Sequence, residues 1–153
     1  VKTTEVGRTE RGFDNGKKVK GRKRHVLVDT LGLLLMVVVT AASLSDQAGA
    51  RQIFQHMGGI CKQLRTIWVD GTYRGAEWTA WVKAHYHIVL ESVTRAEGQK
   101  GFAVFPHRWV VERTLAWLNQ NRRLSKDYEA LPSTSEAFVY VAMTRLMLKR
   151  LAA

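Results

Sequence analysis

HVLVDTLGLLLMVVVTAA, from His25 to Ala42, decides the fold class of this chain. HVLVDT (His25–Thr30) and LLLMVVVTAA (Leu33–Ala42) are apolar and rich in β-branched residues, the composition of strands that pack on a pleated surface. Leu31-Gly32 leaves room only for a tight connection, so the two runs read as a β-hairpin. The second run is almost entirely apolar. A strand without a polar face is covered on both sides, which predicts a central position in a sheet flanked by helices.

Downstream of the hairpin, helical and strand-like segments alternate. Ser45-Asp46 reads as a helix start leading into QAGARQIFQHM, which stops at Gly58-Gly59. RTIWVD (Arg65–Asp70) is a short buried-type strand broken by Gly71. A helix follows through GAEWTAWVKAHY, and HIVLESV (His87–Val93) is the next strand. After the basic loop TRAEGQKG, the segment PHRWVVERTLAWLNQNRRL starts a long helix at Pro106, a residue favoured in the first turn. Its Val110, Thr114, Trp117 and Asn121 fall on one face. A last helix is expected from about Thr134 to Arg150. The order β–β–α–β–α–β–α–α predicts a mixed sheet with helices on both faces.

Composition narrows the function classes. With 153 residues and 46% apolar content, the chain is expected to fold as one domain with a real core. The single cysteine, Cys61, excludes an internal disulfide and a cysteine-rich zinc module, and fits a reducing, cytoplasmic setting. No apolar run reaches the length of a membrane span, and the polar opening VKTTEVGRTERG has no signal-peptide core. Net charge is +11 with a pI near 10.2, which points to a polyanionic partner, nucleic acid before others. Residues 1–24 read as a basic, flexible arm ahead of a domain at 25–153. Lys17, Lys18, Lys20, Arg22, Lys23 and Arg24 form its densest positive run and are candidate phosphate contacts. Arg122, Arg123 and Lys126 join them.

Two carboxylates carry the chemical reading. Asp70 ends a buried strand, where α/β sheets place ligands, although an Asp-Gly pair is also an ordinary turn and helix cap. Glu112 lies among Trp109, Val110, Val111 and Leu115 on a helix, and by itself reads as a surface pair with Arg108. Together they suit phosphodiester chemistry, in which two divalent ions activate the attacking oxygen and stabilise the leaving one. Such a site ordinarily requires a third carboxylate. His85 and His87 have no ligand-like neighbours, the glycines of GTYRG form no phosphate loop, and the tryptophans read first as core.

VKGRKRHVLVDTLGLLL, WVDGTYRG, RWVVERTLAWL, RRLSKDYEALP and LMLKRL, taken in order, resemble the C-terminal part of bacterial insertion-sequence transposases. Within the DDE superfamily the likeness is to the insertion-sequence-five group. The resemblance implies an α/β, ribonuclease H-like mixed sheet flanked by helices, with the first strand missing. It matches Asp70 in WVDG to the second catalytic aspartate and Glu112 in RWVVER to the catalytic glutamate, both as metal ligands. Arg108 matches the arginine of the tyrosine–arginine–glutamate–lysine signature, whereas its tyrosine and lysine positions hold Phe105 and Asn119. The first catalytic aspartate of the family precedes the VKTTE-like segment and is not among these residues; Asp29 and Asp14 inherit no role from the resemblance.

The resemblance sets the functional expectations. In the complete enzyme Asp70 and Glu112 hold Mg²⁺ (or Mn²⁺), and the enzyme cuts and joins double-stranded DNA at transposon ends and target, as a homo-oligomer on DNA. Arg108 and the basic residues above hold its backbone, and this chain alone is impaired. One rival is a non-catalytic DNA-binding remnant or inhibitor of transposition. Another is a stand-alone nuclease that recruits Asp29, which requires Asp29 to stand beside Asp70 and Glu112.

Overall fold

The computed structural model describes residues 1–4, 10–58, 63–93 and 108–152. Its elements are β1 (Lys2–Thr3), β2 (Gly12–Asp14), β3 (Val19–Val28), β4 (Leu34–Ala41), α1 (Asp46–His56), β5 (Thr66–Val69), α2 (Ala76–Tyr86), β6 (Val89–Ser92), α3 (Arg108–Asn119) and α4 (Pro132–Leu151). The chain is a mixed α/β protein. Pro106, the expected helix start, lies outside the described residues, and α3 ends at Asn119 because Arg122–Leu124 tighten into a 3-10 turn.

β3 organises the larger sheet. It pairs antiparallel with β1, β2 and β4. The expected hairpin is present: Val26 opposes Val37 and His25 opposes Val38. Asp29 forms its turn, where one carboxylate oxygen accepts from the Leu31 and Leu33 amides at 2.9 and 2.8 Å. Gly32 takes a left-handed φ of 81°, which a residue without Cβ adopts readily.

A bulge sets the facing of β4. Leu27 opposes Met36 while Val28 opposes Leu34, so Leu35 is extruded and the alternation changes phase. Met36 and Val38 therefore join a core with Ile53, Phe54 and Met57 around α1, Trp78 and Val82 of α2, and Ile88. Leu34, Val37 and Val39 pack on the opposite side with Leu118, Leu124, Val139 and Met143, under α3 and α4. Both faces are covered, as an apolar strand demands. The central position in the ladder is not observed: among the described residues β4 pairs only with β3. Its outer edge is instead closed by α4, whose Glu136 carboxylate accepts from the Val39 amide at 2.7 Å and whose Tyr140 hydroxyl oxygen accepts from the Val37 amide at 3.2 Å. A helix can satisfy an edge as well as a strand can.

The flexible arm expected at residues 1–24 is not what the described part of that stretch forms. Lys2–Thr3 and Gly12–Asp14 are strands, and residues 19–24 belong to β3, so the expected boundary at 24/25 falls inside one strand. Tertiary contacts override the solvated appearance of a glycine-bearing basic run. Arg22 makes the point: its guanidinium is fully buried and donates to the Glu129 and Ala130 carbonyls at 2.8 Å and to the Glu10 carbonyl at 3.2 Å.

A second sheet holds β5 and β6 in parallel register, Ile67 opposite Leu90 and Trp68 opposite Glu91, and among the described residues it is not hydrogen-bonded to the first. Ile67 and Leu90 pack onto the α1–α2 core. On the other face Trp68 and Val89 are partly exposed, and Trp68 Nε1 donates to the Glu91 carboxylate at 2.9 Å.

Candidate active site and nucleic-acid interface

Asp70 continues β5 in extended conformation and caps the 3-10 turn Gly71–Tyr73. One carboxylate oxygen, Oδ1, accepts from the Thr72 amide at 2.9 Å and from the Thr72 hydroxyl. That is the turn-and-cap geometry an Asp-Gly pair favours. Oδ2 has no hydrogen-bond partner among the described residues, and the carboxylate is exposed. The turn is braced by its neighbours. The Gln47 side-chain amide donates to the Thr72 and Arg74 carbonyls at 3.1 and 3.4 Å, and Arg74 Nε donates to the Ser92 hydroxyl at 3.1 Å. Tyr73 lies beneath. Burial, with the charges of Asp46 and Asp70 adding to it, holds its hydroxyl well above the ordinary tyrosine range.

These contacts fix which end of the sheet Asp70 occupies. Lys23, midway along β3 and next to Arg22, which opposes the last residue of β4, donates to Asp46 Oδ1 at 3.1 Å and pairs with Asp14 at 3.3 Å. Asp46 opens α1, and Gln47 beside it holds the Asp70 turn. Asp70 therefore stands at the end of the sheet where β3 begins. Asp29 is at the other end, six residues beyond Lys23, or about 20 Å along an extended strand. One oxygen of its carboxylate accepts the hairpin-turn amides. That placement runs against the nuclease reading, which needs Asp29 beside Asp70.

Glu112 is exposed on α3. The residues next to it hold the hairpin turn: Arg113 Nη2 donates to the Leu31 carbonyl at 2.8 Å, and the buried Thr114 hydroxyl donates to the Gly32 carbonyl at 2.7 Å. The described contacts hold Arg113 and Thr114, beside Glu112, to the hairpin turn and the last residue of α3, Asn119, to Lys2 at 2.6 Å, and none joins Glu112 to Asp70. No group of three or more His, Cys, Asp or Glu side chains that could hold a metal ion occurs among the described residues. Asp70 offers one unpartnered oxygen, so these residues do not by themselves form a magnesium site.

The basic candidates divide by burial. Lys17, Lys18 and Lys20 are exposed on and beside the β2–β3 turn, at the Asp70 end. Arg122, Arg123 and Lys126 are also exposed, and their segment is tied to the same end. Arg24 donates to the Leu124 and Lys126 carbonyls at 2.8 and 3.3 Å, and Lys2 Nζ to the Ser125 carbonyl at 3.1 Å. Arg123 is partly occupied by Glu129 at 2.9 Å and lies over the Phe138 ring. Arg22 is excluded as a phosphate contact because it is buried against Asp127 and backbone carbonyls. Lys23 is neutralised between Asp14 and Asp46, and both terminal nitrogens of Arg24 donate to backbone carbonyls. The side chain of Arg108 lies outside the described residues.

What sequence reading missed is the pairing of Arg22 with Asp127, because the partners are 105 residues apart and neither belongs to a local motif. It also missed the edge closure by Glu136 and Tyr140. Their spacing of four on a helix was the available signal.

Among the described residues no helix is long and apolar enough to cross a membrane. Against known proteins, residues 1–147 match the family described as transposase DDE domain. The chain is 27% identical over 127 residues to a protein of Burkholderia cepacia named as a putative transposase for insertion sequence element IS402. The match covers 78% of this chain and 59% of that relative's length. No solved structure matches. With a family match over all but its last few residues, the chain belongs to the DDE-domain transposases.

Proposed function

We propose that this chain is the larger part of a DNA transposase catalytic domain whose reacting end is the Asp70 end of the sheet. The observation that carries the reading is the placement of Asp70. It is an exposed acid with one unpartnered oxygen and no ion pair among the described residues, in a chain of net charge +11. The same end of the sheet presents Lys17, Lys18, Lys20, Arg122 and Lys126. Duplex DNA held by those cations would bring its phosphates to that carboxylate.

The fold proposal is a ribonuclease H-like sheet lacking one strand. Arg22 pairs with Lys2 on one side and with Ala41 on the other, so β1 and β4 flank β3. Beyond Arg22, from Lys23 to Val28, β3 has no strand on its β1 side among the described residues, and the β5–β6 pair stands unjoined. An additional strand between β3 and β5 would unite the two sheets, and the resemblance assigns it the first catalytic aspartate. A parallel pair unjoined to other strands among the described residues favours this reading, since parallel sheets are rarely so small.

The divalent ion, Mg²⁺ or Mn²⁺ by the resemblance, supplies charge stabilisation at the scissile phosphate when bound. Asp70 and Glu112 are its proposed ligands in the complete enzyme. Among the described residues no contact joins the two acids, which favours a second reading for the chain by itself: a non-catalytic DNA binder that inhibits transposition by occupying DNA ends.

The test is a duplex-binding and nicking assay on the 153-residue chain with Mg²⁺ and with Mn²⁺. Salt-sensitive duplex binding without cleavage is the expected result. Robust cleavage by this chain that Asp70→Asn abolishes would contradict the proposed incompleteness, and absence of duplex binding would sink the DNA reading.

A further inference from the structure

α3 carries a ladder of aromatic rings and guanidinium groups, Trp109 exposed and Arg113 and Trp117 half-buried, that the proposed reacting end does not use. Trp109, Arg113 and Trp117 recur at every fourth residue, one above another on a helix. The Arg113 guanidinium lies 4.1 Å from the Trp109 ring centroid and 4.9 Å from that of Trp117. Arg150, from the last turn of α4, lies over the other end at 4.3 Å from Trp117.

Two properties separate this ladder from an ordinary pair of packed helices. Trp109 is 46% exposed, costly for the largest apolar side chain unless something covers it. Neither arginine has an acid partner among the described ion pairs, although acids elsewhere occupy Arg22, Lys23 and Arg123. Arg113 is also held rigidly, with Nη2 on the Leu31 carbonyl. The surface therefore offers flat rings and positive charge, alternating and preset. A nucleic-acid strand with unpaired bases uses both: its bases stack on indoles, and its phosphates meet the guanidinium groups.

We propose that the Trp109–Arg113–Trp117–Arg150 ladder binds a single-stranded segment of DNA, with an unpaired base stacked on Trp109. The proposal rests on DNA being the substrate, and gives the strand-separated part of it a place distinct from the basic end of the sheet.

The experiment is fluorescence anisotropy of a labelled single-stranded oligomer of about 20 nucleotides, longer than one stacking groove spans, and of its duplex. Both are titrated with wild-type chain, Trp109→Ala and Trp109→Phe. Thermal melting establishes that each variant is folded. Trp109→Ala is expected to weaken single-strand binding by between about 5-fold and about 100-fold, the range found for removing one stacking partner. Duplex binding should stay within about twofold, and Trp109→Phe should recover most of the single-strand affinity. Equal losses on both oligomers would overturn the proposal, as would unchanged single-strand binding in Trp109→Ala. A wild-type chain that binds duplex but not the single strand overturns this proposal alone; one that binds neither overturns the DNA reading as well.

Discussion

Lys17 and Arg22 carry the same charge and sit five residues apart, yet one is exposed and the other fully buried. The difference lies in residues 127–130, which supply Arg22 with the Asp127 carboxylate and two carbonyl oxygens. A run of lysines, arginines and glycines reads locally as a solvated arm, and nothing near it in sequence reveals an acceptor-lined pocket made a hundred residues later. Replacing Arg22 by Met removes the charge paired with buried Asp127, which among the described residues keeps only the Glu129 amide at 3.2 Å and the more distant Arg24. Urea unfolding should register a loss of about 3–5 kcal/mol, the cost of breaking a buried pair from one side. A loss below about 1 kcal/mol, the scale of an exposed pair, would show that the pocket is not formed. His25 gives a pH prediction at the same scale. Its ring is buried, with Nε2 2.9 Å from the Thr40 hydroxyl, and burial lowers its pKa below the ordinary 6.5. Asp46 opposes that shift, and Lys23 and the N-terminus add to it. Protonation is then easier in the unfolded chain. The contribution is fully present above pH 6.5 and falls away as pH drops towards the lowered folded value. Stability measured from about pH 8 down to about pH 5, the range in which histidine titrates, should decline more steeply in wild type than in His25→Gln. Identical slopes would refute the assignment.

At the scale of elements, apolar runs and helix punctuation located β4, β5, β6 and the four helices, but only the second half of β3, and they left β1 and β2 unread inside a basic arm. Covering both faces of Leu34–Ala41 was legible because no residue in the run except Thr40 has a polar side chain. Its edge position was not, since a helix closes the edge through Glu136 and Tyr140, and sequence pattern does not distinguish a paired strand from one capped this way. The bulge at Leu35 was equally silent, because one more leucine in a leucine-rich run changes no pattern while reversing the phase of the strand. The hairpin turn also holds α3 in place. Gly32 has a φ of 81°, and an added Cβ would sit 2.8 Å from the Thr114 hydroxyl and 3.2 Å from the Trp117 ring. Gly32→Ala should therefore destabilise the chain by about 1–3 kcal/mol, combining backbone strain with crowding against α3. Thermal or urea unfolding reads this directly, and a neutral or stabilising substitution would show that α3 does not rest on the turn.

At the scale of the whole molecule, the sequence located the acids but not their mutual distance. Asp70 was legible as a strand-end acid because β5 is short, apolar and stopped by Gly71. Glu112 was identified by resemblance, and its side of the molecule depends on how α3 crosses the sheet, which no local spacing encodes. The exposed basic residues and Asp70 gather at the end where β3 begins, while Asp29 and the Arg113 and Thr114 anchors of α3 lie at the other. That polarity is what supports the proposed reacting end, and it separates two aspartates that are otherwise alike, since each accepts through one carboxylate oxygen within a turn. The most direct test is DNA cleavage in Mg²⁺ by a chain extended upstream of Val1 until it is active, comparing Asp70→Asn with Asp29→Asn at a temperature where both are folded. Asp70→Asn is expected to lose roughly 100-fold or more, the scale of removing a group aimed at charge in the transition state, with near-normal cleavage for Asp29→Asn. Full cleavage by Asp70→Asn, or a selective loss in Asp29→Asn, would contradict the placement of the reacting end.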